Sequence, residues 1–293
     1  MHPSEYANGL DYKLRNPRQR EVRQSLCCWS DLLGFAASFI ESNWAPTDDV
    51  LERVYGRISR AHQLVYRTIL GKEDFMLALN DGIARTCDAG AITHLDHLSM
   101  WLRACVLAHR DICNTEASAG LPGCRTVIAY GVRLVHGHPE ITFDDLVYNY
   151  TKADPSGRSE IAQRLGNPVL ALNPTALQLN LAFSRAYLLN EGGSKIGLSG
   201  AHLFIDQSVV EFIRSLATQL GSPHGVIWER RGDRRLFCLP ARGDLSRFHV
   251  GFELAEPPVH ISSAETMIKT TVWKVLAYYP WDEDVADFKF DLE

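Results

Sequence analysis

The sequence predicts an α+β fold, and two observations carry that prediction. Short apolar runs of strand length alternate with two long segments whose apolar residues recur at helical spacing. Their order in the first half of the chain is strand, helix, strand, strand, helix, strand. That order is the split βαβ arrangement of a ferredoxin-like domain, in which an antiparallel sheet carries its helices on one face.

The first four elements follow from local patterns. The first strand is the apolar run that begins at residue 26, contains Asp31 and stops at Gly34-Phe35. An amphipathic helix follows over residues 47–70, with Thr47 as its cap. A β-hairpin comes next, because the apolar run 75–79 is broken by Asn80-Asp81-Gly82 and resumes at Ile83.

The later elements are a second helix over 95–112, a fourth strand over 125–135 and a third helix opened by Pro174. A strand and a helix then lead into a strand-rich tail. The predicted domains are a polar lead at 1–25, a main domain at 26–220 with an insertion at 137–166, and a β-rich extension at 221–293 packed on the main domain.

Composition excludes several classes of protein. The formal net charge of −5 gives no diffuse basic surface, so we expect neither nucleic-acid nor membrane binding. No apolar run approaches the ~20 residues of a membrane span, and the polar start lacks a signal peptide, so a cytoplasmic location is expected. The seven scattered cysteines are expected to be reduced thiols in the core.

Two carboxylates interrupt apolar strand patterns: Asp31 lies inside its run and Asp81 lies at the hairpin tip. In a split βαβ fold the first strand lies beside the hairpin, so these two residues are expected to meet. Unneutralised carboxylates at the end of a sheet favour a divalent metal site, since otherwise one of them must protonate. The alternative is an ordinary turn aspartate at 81 and an edge-exposed Asp31.

The residues after Asp31 point to phosphate. Leu32-Leu33-Gly34-Phe35 leads from a strand into a short helical stretch, whose unpaired amides form a natural phosphate seat. Metal ligands beside a phosphate seat predict a nucleotide ligand.

These residues resemble a known family. SDLLGF resembles the first-strand motif of class III nucleotidyl cyclases, and LALNDGIAR resembles the hairpin that supplies their second metal-binding aspartate. GLPGCRTVIAYGVRL and PTALQLNLAFSRAYLLNEGG are most similar to the bacterial pyrimidine cyclases of Pycsar antiphage defence. The resemblance covers roughly residues 26–215, and its four motifs occur in the family's order.

The resemblance implies roles for individual residues. Asp31 and Asp81 would hold two Mn²⁺ or Mg²⁺ ions, with the backbone carbonyl of Leu32 as a further ligand. The amides from Leu33 through Gly34 to Phe35 would hold the β- and γ-phosphates. The ribose 3′-hydroxyl would then attack the α-phosphate without a covalent intermediate.

Two departures from the family pattern concern the base and the transition state. Leu77 stands where adenylate and guanylate cyclases usually carry a base-reading Lys or Glu. A leucine cannot hydrogen-bond a purine edge, so this departure fits a pyrimidine substrate. Asn180 matches the family's ribose-orienting Asn, but Arg185 comes one residue later than the usual transition-state Arg. On a helix that places Arg185 about 140° away from Asn180. Arg85, with Arg133, is therefore a candidate for the missing cation.

The resemblance implies a uridylate cyclase that makes cyclic UMP from UTP, with CTP as the alternative substrate. Because class III sites are built between two catalytic domains, it also implies a homodimer. The product would signal to a separate cyclic-nucleotide-gated effector during phage infection. Two other hypotheses stay open: a catalytically inactive nucleotide sensor, and a relative of the diguanylate cyclases or polymerase palms. Against the second, this chain lacks a GGDEF-like hairpin and the basic groove expected for a polymer template.

Overall fold

A computed structural model describes residues 18–68, 74–137, 176–177, 179–222, 225–241, 248–262, 268–279 and 289–292. The chain divides into two compact units. The smaller comprises residues 1–23 and 133–180, and the larger comprises 24–132 and 181–293. The predicted insertion after Gly137 and the predicted helix start at Pro174 lie outside the described residues.

The described helices are α1 (Ala37–Glu41), α2 (Asp48–Tyr66), α3 (Leu95–Ser118), α4 (Leu181–Gly192) and α5 (Gln207–Gln219), with 3₁₀ turns at Ala89–Ala91 and Gly193–Ile196. The described strands are β1 (Arg18–Leu32), β2 (Asp74–Leu79), β3 (Gly82–Asp88), β4 (Cys124–Gly137), β5 (Leu203–Asp206), β6 (Ile227–Arg231), β7 (Arg234–Pro240), β8 (Phe248–Ala255), β9 (Val259–Ser262), β10 (Lys269–Tyr279) and β11 (Phe290–Asp291).

The eleven strands form one mixed sheet in the order β2-β3-β1-β4-β5-β10-β8-β7-β6, with β9 and β11 also paired to β10. Its first four strands have the split βαβ order, so the predicted α+β class is confirmed. β3 runs antiparallel to both β1 and β2, whereas β5 runs parallel to β4. The strand-rich tail continues the same sheet, because β10 pairs directly with β5.

The core lies where α2, α3 and α5 cover one face of the sheet. Their apolar stripes meet every second strand residue, which follows from the alternation of side chains along a strand. Leu26, Leu98 and Ile213 belong to the larger cluster, and Leu32 and Ile112 to a smaller one beneath α2. None of the described helices is long and apolar enough to cross a lipid bilayer.

One helix departs from the one-faced arrangement. Phe183 and Tyr187 of α4 make edge contacts with the ring of Trp29, at centroid distances of 5.7 and 5.3 Å. Trp29 alternates along β1 with the core residue Cys28, so its ring lies on the face away from α2 and α3. Helix α4 therefore covers the second face of the sheet.

The first strand begins earlier than the apolar pattern predicts. β1 starts at Arg18, although residues 21–24 are exposed and all but Val22 are polar. Exposed strand residues bury no side chain, so hydrophobic patterning gave no signal for this extension. The hairpin prediction is confirmed, with β2 and β3 separated by Asn80 and Asp81.

Candidate active site

The structure brings Asp31 and Asp81 together at the end of β1. Asp31 is the Cα partner of Gly82, so the neighbouring Asp81 lies level with the strand end. The backbone amide of Leu32 donates a hydrogen bond to the carbonyl of Asp81 over 3.2 Å. Residues fifty positions apart thus share one corner of the sheet, as the split βαβ topology requires.

The hairpin tip is fixed from two sides. Asn80 adopts the left-handed conformation, with φ of 59°, which asparagine tolerates better than most residues. The imidazole Nε2 of His62, on α2, lies 3.0 Å from the Asn80 carbonyl oxygen. Gly82 then admits the ring of Trp29, because a Cβ there would lie 2.4 Å from Trp29 Cζ2. These contacts set the position of Asp81.

Both carboxyls carry raised pKa values. Burial raises the pKa of Asp31 to about 6, with repulsion from Asp81 as the second cause. The Arg125 guanidinium and a hydrogen bond from the Asn190 side chain oppose that rise. Burial also raises the pKa of Asp81, which the Arg57 guanidinium opposes. Two half-buried acids that repel each other form a cation-binding arrangement.

Two polar residues near Asp31, Arg125 and Asn190, were not predicted from the sequence. Arg125 is the second residue of β4, and its Nη1 donates to the Asn190 carbonyl over 2.9 Å. Burial lowers the pKa of Arg125, and the nearby Asp31 carboxylate raises it. Asn190 is buried near the end of α4. A charged residue directly before the apolar run 127–129 was the available signal for Arg125.

The turn after β1 is held by two hydrogen bonds. The Leu33 amide donates to the Gly123 carbonyl over 2.9 Å, and Arg57 Nη2 donates to the Leu33 carbonyl over 2.7 Å. Gly34 has φ of +67°, and a Cβ there would lie 3.2 Å from Pro122 Cγ. The Leu33 amide is therefore already engaged, which corrects its expected role as a phosphate donor.

The next two amides differ from that of Leu33. Within the described part of the chain, the amides of Gly34 and Phe35 donate no hydrogen bond. The left-handed conformation of Gly34 turns the chain between β1 and α1. Two consecutive unbonded amides beside a carboxylate pair remain suited to an anion.

A buried ion pair anchors this turn to the core. Arg57 Nε donates to Glu116 Oε2 over 2.7 Å, and both side chains are almost fully buried. Arg57 lies on α2 and Glu116 on α3, so the pair also joins the two helices. The Leu33 carbonyl accepts a hydrogen bond from Nη2 of the same guanidinium. The buried ion pair therefore connects the turn to both helices on its core side.

The register places Leu77 on the same face of the sheet as Asp31. Leu77 pairs with Ala84, and Ala84 pairs with Trp29. Trp29 and Asp31 are two residues apart on β1, so both side chains lie on the same face of the sheet. The row next to the carboxylates is therefore Leu77, Ala84 and Trp29, which carries one polar atom on its side chains, the indole nitrogen.

Arg85 lies on the opposite face, so its expected nucleotide contact is wrong. Its Cα partner is Cys28, a core residue, and its neighbour Ala84 faces the other side. The guanidinium is buried and donates to the hydroxyl and carbonyl oxygens of Thr68, over 2.9 and 2.7 Å. Strand alternation sends Arg85 toward the end of α2 and away from Asp31.

The remaining expected residues take other positions. Arg185 Nε lies 2.8 Å from Asp206 Oδ1, where Asp206 caps the N-terminus of α5 through the Ser208 amide. Asn180 belongs to the smaller unit and is buried. It forms an isolated antiparallel bridge with Arg133, and its Nδ2 donates to the Ala176 carbonyl over 2.9 Å.

The residues at the strand end fit divalent cations. The donor set offers two carboxylates and backbone carbonyls, which are the oxygen ligands that Mg²⁺ and Mn²⁺ prefer. Burial first, and repulsion from Asp81 second, raise the pKa of Asp31 and so disfavour its charged form. Bound cations would relieve that repulsion.

No family model and no curated protein matches the sequence. Solved cyclase structures match the fold over most of its length. The adenylyl cyclase CyaB from P. aeruginosa is 9% identical, with 88% of this chain and 95% of that chain covered, at a TM-score of 0.39. The dimeric guanylyl cyclase domain of the RhoGC fusion protein from Blastocladiella emersonii is 11% identical. That match covers 89% of this chain and 98% of that chain, at a TM-score of 0.41.

The guanylate cyclase domain of RhGC from Catenaria anguillulae, solved in complex with GTP, is 8% identical. The match covers 87% of this chain and 97% of that chain, at a TM-score of 0.41. Similarity at these scores carries no argument about function.

Proposed function

We propose that this protein is a metal-dependent pyrimidine nucleotide cyclase, which converts UTP to 3′,5′-cyclic UMP and pyrophosphate. The observation that carries the proposal is the meeting of Asp31 and Asp81 beside the Gly34-Phe35 turn. A carboxylate pair next to unbonded amides suits a metal-bound triphosphate. The sequence resemblance to class III cyclases supports the same reading.

The metal ligands in this proposal are Asp31, Asp81 and the backbone carbonyl of Leu32, which would hold two Mn²⁺ or Mg²⁺ ions. Such ions, when bound, lower the pKa of a ribose hydroxyl and neutralise charge on the departing pyrophosphate. The amides of Gly34 and Phe35 would bind phosphate oxygens. Arg125 and Asn190 would hold the Asp31 carboxylate in its binding orientation.

The base pocket in this proposal is the row of Leu77, Ala84 and Trp29. A leucine cannot hydrogen-bond the edge of a purine, so purine recognition of the usual cyclase kind is missing. This composition favours a small base against an apolar wall. UTP is preferred over CTP on the sequence resemblance alone, and CTP is the alternative substrate.

The wider role follows from the same resemblance. A catalytic domain at residues 26–220, with its β-rich extension at 221–293, would form a homodimer in the cytoplasm. The cyclic pyrimidine nucleotide would act as a second messenger in antiphage defence and open a separate cyclic-nucleotide-gated effector. No nucleic acid or membrane takes part in this scheme.

The decisive experiment incubates the purified protein with Mn²⁺ and ATP, GTP, CTP or UTP separately and identifies products by mass spectrometry. Cyclic UMP is expected from UTP, and it should be absent with Asp31→Asn or Asp81→Asn. Asp111→Asn, on the outer part of α3, is the matched control and should keep wild-type turnover. Full turnover in either active-site variant would refute the two-metal site.

A second candidate function is a catalytically inactive nucleotide sensor, and one observation favours it. The arginine nearest to the family's transition-state position, Arg185, forms an ion pair with Asp206. A sensor would bind Mn²⁺ and nucleoside triphosphate yet release no pyrophosphate. Calorimetric binding of UTP with Mn²⁺, without product in the assay above, would favour this candidate.

A further inference from the structure

A group of side chains with metal-ligand chemistry lies on the face of the sheet opposite to Asp31. The group consists of His109, Cys113 and Cys124, whose ligand atoms all lie within 4.8 Å of one another. His109 and Cys113 are one turn apart on α3, and Cys124 is the first residue of β4. The helix brings His109 and Cys113 to one face, and the fold brings the start of β4 beside them. The spacing of these residues in the sequence does not match a known zinc motif.

Two of the three separations between the donors match a tetrahedral zinc site, and all three lie within 4.8 Å. Cys113 Sγ lies 3.7 Å from Cys124 Sγ and 3.8 Å from His109 Nε2. With Zn–S near 2.3 Å and Zn–N near 2.0 Å, tetrahedral ligands are separated by about 3.5 to 3.8 Å. The two sulfur atoms are also well beyond the ~2.05 Å of a disulfide.

The orientation of the imidazole is set by a hydroxyl relay. His109 Nδ1 lies 2.9 Å from Thr126 Oγ1, and Thr126 Oγ1 lies 2.9 Å from Ser30 Oγ. Nδ1 also approaches Cys124 Sγ, at 3.4 Å. Because Nδ1 already has a hydrogen-bonding partner, Nε2 is the nitrogen that can take a metal. Outer contacts of this kind fix the tautomer of metal-binding histidines.

We propose that His109, Cys113 and Cys124 form a zinc site, with the fourth position open to water or a small exogenous ligand. Two thiolates and one imidazole are soft and borderline donors, and such donors bind Zn²⁺ in preference to Mg²⁺ or Mn²⁺. Each thiol loses its proton when the metal binds. The half-buried Cys113 supplies the entry path, since Cys124 and His109 are fully buried.

The electrostatics of the pair agree with this geometry. A hydrogen bond from the Cys124 thiol lowers the pKa of Cys113, and the neighbouring His109 lowers it further. The pKa of Cys124 is raised, first by that contact and then by burial. One thiolate is thus favoured already, and a cation would stabilise the second.

The site would act as a structural clip beside the carboxylate pair. Gly123, next to Cys124, accepts the hydrogen bond of the Leu33 amide. Arg125, on the other side of Cys124, lies near Asp31. A metal bound to Cys124 and α3 would therefore hold the start of β4, from which both contacts arise. The zinc site itself does not depend on the proposed cyclase activity.

The test is a Co²⁺ titration of the reduced full-length protein, followed by displacement with Zn²⁺. Co²⁺ in a thiolate site produces sulfur-to-metal absorption in the near ultraviolet, whereas binding at the Asp31 and Asp81 carboxylates does not. We expect that band to saturate at one Co²⁺ per chain and to disappear on addition of Zn²⁺. Absence of the band in the reduced wild-type protein would overturn the proposal.

Variants separate the cluster from the other cysteines. Cys113→Ser and His109→Gln should each weaken Co²⁺ binding by at least 100-fold, whereas Cys105→Ser, a buried thiol of the same helix outside the cluster, should leave it unchanged. Thr126→Val should weaken it by about 10- to 100-fold, because the imidazole loses its orienting partner. An undiminished band in Cys113→Ser, or an intramolecular Cys113–Cys124 disulfide in place of metal after zinc incubation, would also overturn it.

Discussion

The backbone amide of Leu32 donates to the carbonyl of Asp81 over 3.2 Å. This bond closes the corner between β1 and the β2-β3 hairpin, directly beside the Asp31 side chain. It couples the geometry of one carboxylate to the backbone of the other. The structural consequence is a preformed pair of acids, positioned before any ligand arrives.

Asp31→Asn should stabilise the metal-free protein at neutral pH while it removes metal binding. The folded pKa of Asp31 is about 6, above the ~3.9 of an unfolded chain, so folding favours the protonated acid. The wild type therefore loses stability as the pH rises through that interval, and the variant does not. The melting temperature, measured with a chelator present, should differ most above pH 6 and converge near pH 4. A constant difference across this range would contradict the assignment.

Arg125→Gln should shift the pH dependence of Mn²⁺ binding. The Arg125 guanidinium lowers the pKa of Asp31, so its loss raises that pKa further and proton competition extends to higher pH. We expect the midpoint of binding, measured by calorimetry, to move upward by about half a pH unit or more. Arg125→Lys keeps the charge and should recover part of the shift. An unchanged midpoint in Arg125→Gln would limit Arg125 to holding the Asn190 carbonyl.

Gly82→Ala should destabilise the hairpin and, if the protein is an active cyclase as proposed, reduce its turnover. The new Cβ would lie 2.4 Å from Trp29 Cζ2, so the ring must move against Phe183 and Tyr187. Overpacking of this kind costs about 1–3 kcal/mol of unfolding free energy. Denaturant unfolding measures this loss of unfolding free energy. In a Trp29→Leu background, where the side chain is smaller, Gly82→Ala should cost less unfolding free energy than it does in the wild type. Equal losses in both backgrounds would exclude a clash with the indole.

Arg185→Gln tests whether this arginine is structural. Asp206 is fully buried, and the variant removes a cation that lies 2.8 Å from it. Asp206 keeps Ser208 and Thr270 as donors, so we expect a loss of about 1–3 kcal/mol in unfolding free energy. In an active enzyme, kcat should fall by less than tenfold. A thousandfold fall in kcat with unchanged stability would instead place Arg185 at the transition state.

Local patterns predicted the elements well because each pattern has a local physical cause. Alternation, helical periodicity and turn residues located β2, β3, α2, α3 and β4 to within a few residues, apart from the longer C-terminal end of α3. The polar start of β1 escaped, since its exposed residues carry no apolar signal. The pairing of Asp31 with Asp81 followed from topology alone.

Residue roles that depend on the face of a strand were harder to predict. Arg85 is four positions from Asp81, yet its side chain lies on the same face of the sheet as Cys28. Ala84 lies on the face that carries the carboxylates. A shift of one residue in register would exchange the two faces. The sequence does not state the register between β1 and β3, so the choice between these faces required the structure.

The sequence by itself determined the α+β class, the order of the first four strands and the two acids that interrupt apolar strands. Those features are contained in residue patterns over short stretches of the chain, and each pattern has a local physical cause. Only the tertiary structure decided that Arg125 and Asn190 serve Asp31, that Arg185 binds Asp206, and that His109, Cys113 and Cys124 converge. These contacts join separate elements, and their formation depends on register and helix packing that no local pattern encodes.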